Sequence, residues 1–448
     1  MAAEHEVLTE HEVLTEHEVL TEHGSDGKKE NNCIRRAGCA HIIEQRKAAA
    51  HILQKWWILM FFIHGKIMTM TGKTYEDGYV HVTGKKIASV GKMEELALGE
   101  KERQSEVGEK VIDVRGAVVM PGLIDAHCHI GICEEKWGVA GDDCNEVTDP
   151  VTPHFRALDA INPMDPAFHD AIGAGITAVM AGPGSSNVVG GQFLFMKTQG
   201  RRVDHMIVKA PAAMKVAFGE NPKKNYGEKD KMPASRMAIA GMLREELYRA
   251  CRYREQKEWG RLDKPDFRME NWLPVLRKEI PLKAHVHRAD DILTAIRIAK
   301  EFGLELTLDH CTEGHLVADE IAASGYPVIV GPQLTSRSKL EIQNMDFKTA
   351  GVLERAGVKT AIMTDHPVSL IHYLPLYAGL NVKHGLSMEG GLKAVTIHAA
   401  QICGAAERVG SLEAGKDADI AVFSANPMEV FTKTLYTMID GEIVYESR

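Results

Sequence analysis

Pro121-Gly122-Leu123-Ile124-Asp125-Ala126-His127-Cys128-His129 is the stretch on which the fold turns. An apolar run ends there in two histidines one residue apart. Residues i and i+2 of a strand point to the same side, so His127 and His129 share a face and could grip one divalent cation. Cys128, between them, turns away and reads as packing. A bare His-x-His arises often by chance. Its meaning depends on where the strand sits.

Three later segments end in the same way. Leu282-Lys283-Ala284-His285-Val286-His287, Leu306-Thr307-Leu308-Asp309-His310 and Ala361-Ile362-Met363-Thr364-Asp365-His366 each run from apolar residues into His or Asp. Singly, each reads as a satisfied core histidine or a capping aspartate. Four strand ends aiming such groups at one mouth are hard to explain by packing. Barrel enzymes place their chemistry at the C-terminal ends of parallel strands. Candidate strands fall at 118–126, 176–181, 206–209, 214–218, 282–286, 304–309, 327–330 and 360–363, with helical stretches such as 289–302 between several of them. The pattern predicts an α/β chain with a (β/α)8 TIM barrel. Residues 236–259 and 269–279 read as a helical insertion. Ser185-Ser186-Asn187-Val188-Val189-Gly190-Gly191 reads as a loop at the mouth, where backbone amides and Asn187 could orient a substrate. No GK[ST] follows, so it is not a phosphate loop.

Both ends of the chain are β-rich. FFIHGKIMT, GYVHVTGKKIASVG and KVIDVRGAVVMPG precede the barrel, and ADIAVFSA and TLYTMIDGEIVYE follow it. Joining them in one small β-sandwich domain would pair edges otherwise left open. The expected division is a low-complexity or disordered extension over 1–55, sandwich over 56–118, barrel over 119–400 and sandwich again over 401–448. The extension begins with EHEVLT three times over, a six-residue repeat that builds neither a heptad seam nor a solenoid.

Charge narrows the choice of partners. The net charge is −9, and residues 1–27 hold eight acidic groups with no Lys or Arg, so removing those eight leaves about −1 for the rest. No basic surplus recommends nucleic acid or an anionic membrane. The longest apolar run, Trp56 to Ile63, spans eight residues, well short of the roughly 20 needed to cross a bilayer. The eight cysteines include no CxxC pair and read as reduced thiols, so the expected compartment is the cytoplasm. A small-molecule substrate is the expected partner, with self-association left open.

The motifs together resemble the amidohydrolase superfamily, and more closely its imidazolonepropionase-like group, which also holds prolidase-like dipeptidases. PGLIDAHCH, the later His, His and Asp, and the tail VGSLEAGKDADIAVF carry the resemblance over roughly residues 57–448. It implies that His127 and His129 are first-strand metal ligands, His285 the fifth-strand ligand, His310 the sixth, and Asp365 the eighth-strand acid that shuttles a proton. It also implies one or two divalent ions, with zinc suited to such donors and manganese or iron able to occupy the same set. In binuclear members a carboxylated lysine or a glutamate bridges the ions. Lys215, set between Met214 and Val216, is the preferred candidate for that place, and Glu220 is its rival. Many deaminase-type relatives carry a glutamate three residues after the fifth-strand histidine, where this chain has Arg288. His287 and Arg288 would lie near the mouth, where a guanidinium could hold a substrate carboxylate. Pairing of Arg288 with Asp290 or Asp291 at a helix start is an equal reading. The implied activity is hydrolysis of a C–N amide bond in a small peptide-like or cyclic amide by a metal-activated hydroxide. A mononuclear deaminase of a heterocyclic base and a non-catalytic barrel are the alternatives.

Overall fold

The computed structural model describes residues 59–96, 109–135 and 138–447. The expected extension over 1–55 lies outside them. Two eight-stranded sheets account for the strands among the described residues.

The first sheet takes β1 (Leu59–Met68), β2 (Thr74–Thr83), β3 (Lys86–Lys92), β4 (Glu109–Asp113) and β5 (Val118–Pro121) from one end of the chain. From the other end come β14 (Ile420–Phe423), β15 (Thr434–Ile439) and β16 (Glu442–Glu446). Their order is β16-β15-β14-β5-β1-β2-β3. One edge of β1 has two partners in succession, β4 alongside Leu59–Ile63 and β5 alongside Lys66–Ile67. The seam between the two ends is the antiparallel pair β5–β14, with Pro121 opposite Ile420 and Val118 opposite Phe423. Phe62, Ile67, Val80, Val119, Ile420, Val422 and Met438 form a core belonging to this sheet. Asp440-Gly441 turns β15 into β16 with positive φ at both residues, the backbone that a tight hairpin prefers.

The second sheet is the barrel. It runs in order from β6 (Leu123–Cys128) through β7 (Ile176–Ala181), β8 (Val189–Lys197), β9 (Ile207–Ala217), β10 (Leu282–Val286), β11 (Leu306–His310) and β12 (Val328–Val330) to β13 (Thr360–Ile362). It closes beyond β13, where Asp365 N donates to His127 O at 3.2 Å and His129 N donates to His366 O at 2.8 Å. Strands β6 and β10 to β13 are buried along their whole length, as strands packed on both faces must be. The helix Ala289–Phe302 shows how the outer layer is built. Ile292, Ala295, Ile296 and Ala299 recur at helical spacing on its buried face, and Gly303 ends it in the left-handed conformation.

One feature of the barrel departs from the sequence expectation. Residues 206–209 and 214–218 are not two strands but lie largely within one, β9, and the missing member is β8, which runs antiparallel to both neighbours. Gly190-Gly191 reads as loop, yet the apolar run after it is buried throughout. Gly191 has φ +121, and a Cβ there would lie 2.5 Å from Phe155 O, so glycine permits the strand to pass. The helical insertion is one long helix, Arg236–Glu258, followed by two single turns, Phe267–Glu270 and Leu273–Leu276. Among the described residues no helix is long and apolar enough to cross a membrane.

Candidate metal centre

At the end of β6, His127 and His129 both face the barrel axis, fully buried and 7% exposed respectively. Each is held by its Nδ1. His127 Nδ1 lies 2.7 Å from Asp309 Oδ2, and His129 Nδ1 lies 2.7 Å from Gly182 O. Both Nε2 atoms then approach Asp365 Oδ1, at 3.4 Å and 3.1 Å. Asp365 stands just past β13 with φ +55. For a non-glycine residue that conformation costs free energy, and such residues concentrate at functional sites. His310 at the end of β11 shares it, with φ +68.

A second group adjoins the first. His285 and His287 leave β10 and His310 leaves β11, all buried, with their donor atoms within 4.8 Å of one another. His127, His129 and Asp365 satisfy the same distance among themselves. Scaffold bonds again engage Nδ1, from His287 to Thr312 Oγ1 at 2.7 Å and from His310 to Gly331 O at 2.8 Å. His310 Nε2 is buried without a hydrogen-bond partner. An unsatisfied buried polar atom is costly. A divalent cation among these nitrogens would give it a partner, and imidazoles with a carboxylate are donors that such a cation takes.

The chain has relatives that bear on this arrangement. A description of the amidohydrolase family matches residues 247–445. The crystal structure of an amidohydrolase from Thermotoga maritima is 40% identical, with a TM-score of 0.81, over 87% of this chain and 100% of that one. This chain belongs to the amidohydrolase family. Amidohydrolase tasK of Hapsidospora irregularis is 28% identical over 380 residues, 76% of this chain. The match spans only 38% of the length of tasK. A prolidase crystallised with N-methylphosphonate-L-proline shares the fold, with 17% identity and a TM-score of 0.55 over 87% of this chain and all of that one.

In this amidohydrolase Lys215 and Glu220, the two candidates for a bridging place, have different surroundings. Lys215 is fully buried on β9, and its Nζ lies 3.3 Å from His127 Nε2. Glu220 opens the helix Glu220–Gly227, and its carboxylate joins neither donor group. Its backbone N–H instead donates to Glu341 Oε2 at 2.8 Å. Glu341, which sequence reasoning missed, is the acid that approaches the second group, with Oε1 4.0 Å from His285 Nε2 and 3.8 Å from His287 Nε2. Lys339 Nζ bonds both Glu341 Oε1 at 3.0 Å and Asn221 Oδ1 at 2.7 Å. Arg288 has its guanidinium fork on Asp290, at 3.0 Å through Nε and through Nη2, so a substrate carboxylate would have to displace that partner. Asn187 is buried with its amide spent on Tyr226 and Thr152, which anchors the segment before β8. Lys283 and Asp309 were also missed as site residues, although Lys283 has the same apolar-Lys-apolar setting as Lys215.

Burial governs the protonation of the amidohydrolase site. It pushes the imidazoles of His127, His287 and His310 well below their usual range and that of His285 to about 4. It also brings the Lys215 ammonium down to about 8, outweighing Asp309 and Asp365. Burial raises the Glu341 carboxyl, but His285, then His287 and Lys339, outweigh it and hold the group below its usual range. The histidines bind protons less readily when folded than when unfolded. The stability they contribute is therefore present above pH 6.5 and lost as the pH falls toward 4. At about 1.4 kcal/mol per unit, His285 alone accounts for roughly 3 kcal/mol. The thermal midpoint of the chelator-treated protein is expected to drop steeply between pH 6.5 and 4.5. A flat profile would contradict a set of neutral buried imidazoles.

Proposed function

We propose that this amidohydrolase is a metal-dependent hydrolase that cleaves the C–N amide bond of a small peptide-like or cyclic amide. The observation that carries the reading is the convergence of His127 Nε2 and His129 Nε2 on Asp365, beside a second group of three buried imidazoles. His127, His129, Asp365, His285 and His310 would hold one or two divalent ions, zinc being the natural choice for nitrogen and oxygen donors. A bound cation would supply Lewis acidity, polarising an amide carbonyl and lowering the pKa of water toward neutrality. The protein supplies the rest. Asp365 Oδ1 would accept a proton from water and deliver it to the departing amide nitrogen, a transfer worth about 10²- to 10⁴-fold in rate. The scaffold bonds to Nδ1 of His127, His129 and His310 hold the rings in one orientation, so little reorganisation accompanies reaction.

Lys215 fits the part of a carboxylated bridge. Its buried amine would attack carbon dioxide, forming an N–C bond and releasing a proton, and the new carbamate would replace a buried ammonium with a carboxylate donor. Protein prepared in ¹³C-bicarbonate with metal present would then show a carbamate carbon that is absent from Lys215→Met. The substrate class is tested by incubating metal-loaded protein with dipeptides, N-acyl amino acids, hydantoins and aminopurines. Release of free amino acid from dipeptides or N-acyl amino acids, or ring opening of a hydantoin to its N-carbamoyl amino acid, supports the reading. Ammonia release from aminopurines alone would replace it with a deaminase.

A further inference from the structure

The anchor of His127 differs in kind from those of its neighbours. His129 and His310 give Nδ1 to neutral backbone carbonyls, and His287 gives it to a hydroxyl. His127 alone among these four turns Nδ1 to a carboxylate, that of Asp309 on β11, and both residues are fully buried. An ionised carboxylate can only accept. With Lys283 compensating an ionised Asp309, the 2.7 Å contact puts the proton on Nδ1 and leaves the Nε2 lone pair to accept. Nε2 is the atom that faces Asp365 and Lys215.

Asp309 is itself held from a third strand. Lys283 Nζ on β10 lies 3.3 Å from each of its oxygens and donates to Ala126 O at 3.1 Å, in the residue before His127. Thr307 Oγ1 adds a bond to Asp309 Oδ1 at 3.2 Å. A lysine buried to 1% exposure is costly unless an anion compensates it, and a buried carboxylate needs a cation for the same reason. Well-packed apolar residues could fill this space at no loss of stability. The pair has a use only if something depends on its charge, and among the described residues the imidazole it bonds is that of His127.

We propose that Asp309, with Lys283 behind it, is a positioning residue that fixes the tautomer and aim of His127 and strengthens it as a donor. The proposal rests on the reading of His127 as a metal ligand. Carboxylates bonded to the far nitrogen of a ligating histidine raise its basicity, and their loss weakens metal binding about 10- to 100-fold.

The test uses the full chain stripped with a chelator. Co²⁺ and Zn²⁺ affinities are measured by competition with a chromophoric chelator, the visible spectrum of the Co²⁺ form is recorded, and metal-free thermal midpoints are compared. Asp309→Asn is expected to weaken both affinities about 10- to 100-fold and to shift the Co²⁺ bands. Because that variant leaves Lys283 buried and uncompensated, Asp309→Asn/Lys283→Met is made beside it. The double variant is expected to keep a metal-free midpoint near that of the parent and to show the same losses. If it binds Co²⁺ within about threefold of the parent with unchanged bands, the pair is structural and the proposal is overturned. If the parent itself binds no Co²⁺, the metal reading falls and the proposal with it.

Discussion

Asp365→Asn is expected to lower turnover about 10²- to 10⁴-fold while leaving bound metal nearly unchanged. The amide keeps an oxygen where Oδ1 now lies, 3.1 Å from His129 Nε2 and 3.4 Å from His127 Nε2, so a donor remains. What disappears is a group able to gain and release a proton. The φ of +55 at this position is one that asparagine tolerates better than most residues, so the backbone should persist. The measurement is kcat on whichever amide in the panel is cleaved, with metal content determined on the same sample. Near-normal kcat would remove Asp365 from proton transfer. Loss of metal together with activity would make it chiefly a ligand.

The second large effect is expected at His127. His127→Ala deletes a donor and leaves Asp309, Lys215 and Asp365 facing the space it filled. The loss of metal affinity should exceed the 10- to 100-fold typical of an outer partner. Stability should fall as well, because a fully buried ring is removed and the Asp309 carboxylate loses one of its donors. Adding imidazole to the variant offers a check, since the cavity is ring-shaped and its acceptor is still in place. Recovery of metal binding with imidazole would show that the ring nitrogen, rather than the fold around it, was lost. Full metal occupancy in the variant without imidazole would exclude His127 as a ligand.

Much of this site was legible because its signals are local. The His127-x-His129 spacing needs only strand periodicity, and Lys215 between Met214 and Val216 needs only the cost of an ammonium in an apolar setting. His285 and His310 stand at strand ends that the apolar runs mark clearly. What stayed hidden depends on contacts between distant parts of the chain. Asp309 meets His127 across 182 positions, and Glu341 meets Glu220 across 121. Neither has a local pattern that separates it from an ordinary acid. The antiparallel course of β8 was hidden because two glycines imitate a loop, and only the approach of Phe155 explains Gly191. Asn187 shows the converse. A polar residue in a presumed loop suggested substrate contact, whereas the fold spends its amide internally.

The seam between β5 and β14 has a consequence for how the chain is made. β5 runs almost directly into β6, with Gly122 between them, so the strand carrying His127 and His129 is continuous with the sheet that joins both ends. The partner of β5 is synthesised about 300 residues later. During translation β5 therefore emerges with one flank unclaimed while every barrel strand follows it from the ribosome. Contacts of such long range slow folding, and an open strand flank invites pairing with other chains. The last few dozen residues thus act as a clasp on a strand made early. Refolding should be slowest at that docking step, and aggregation of the nascent protein should be most sensitive to changes in β14.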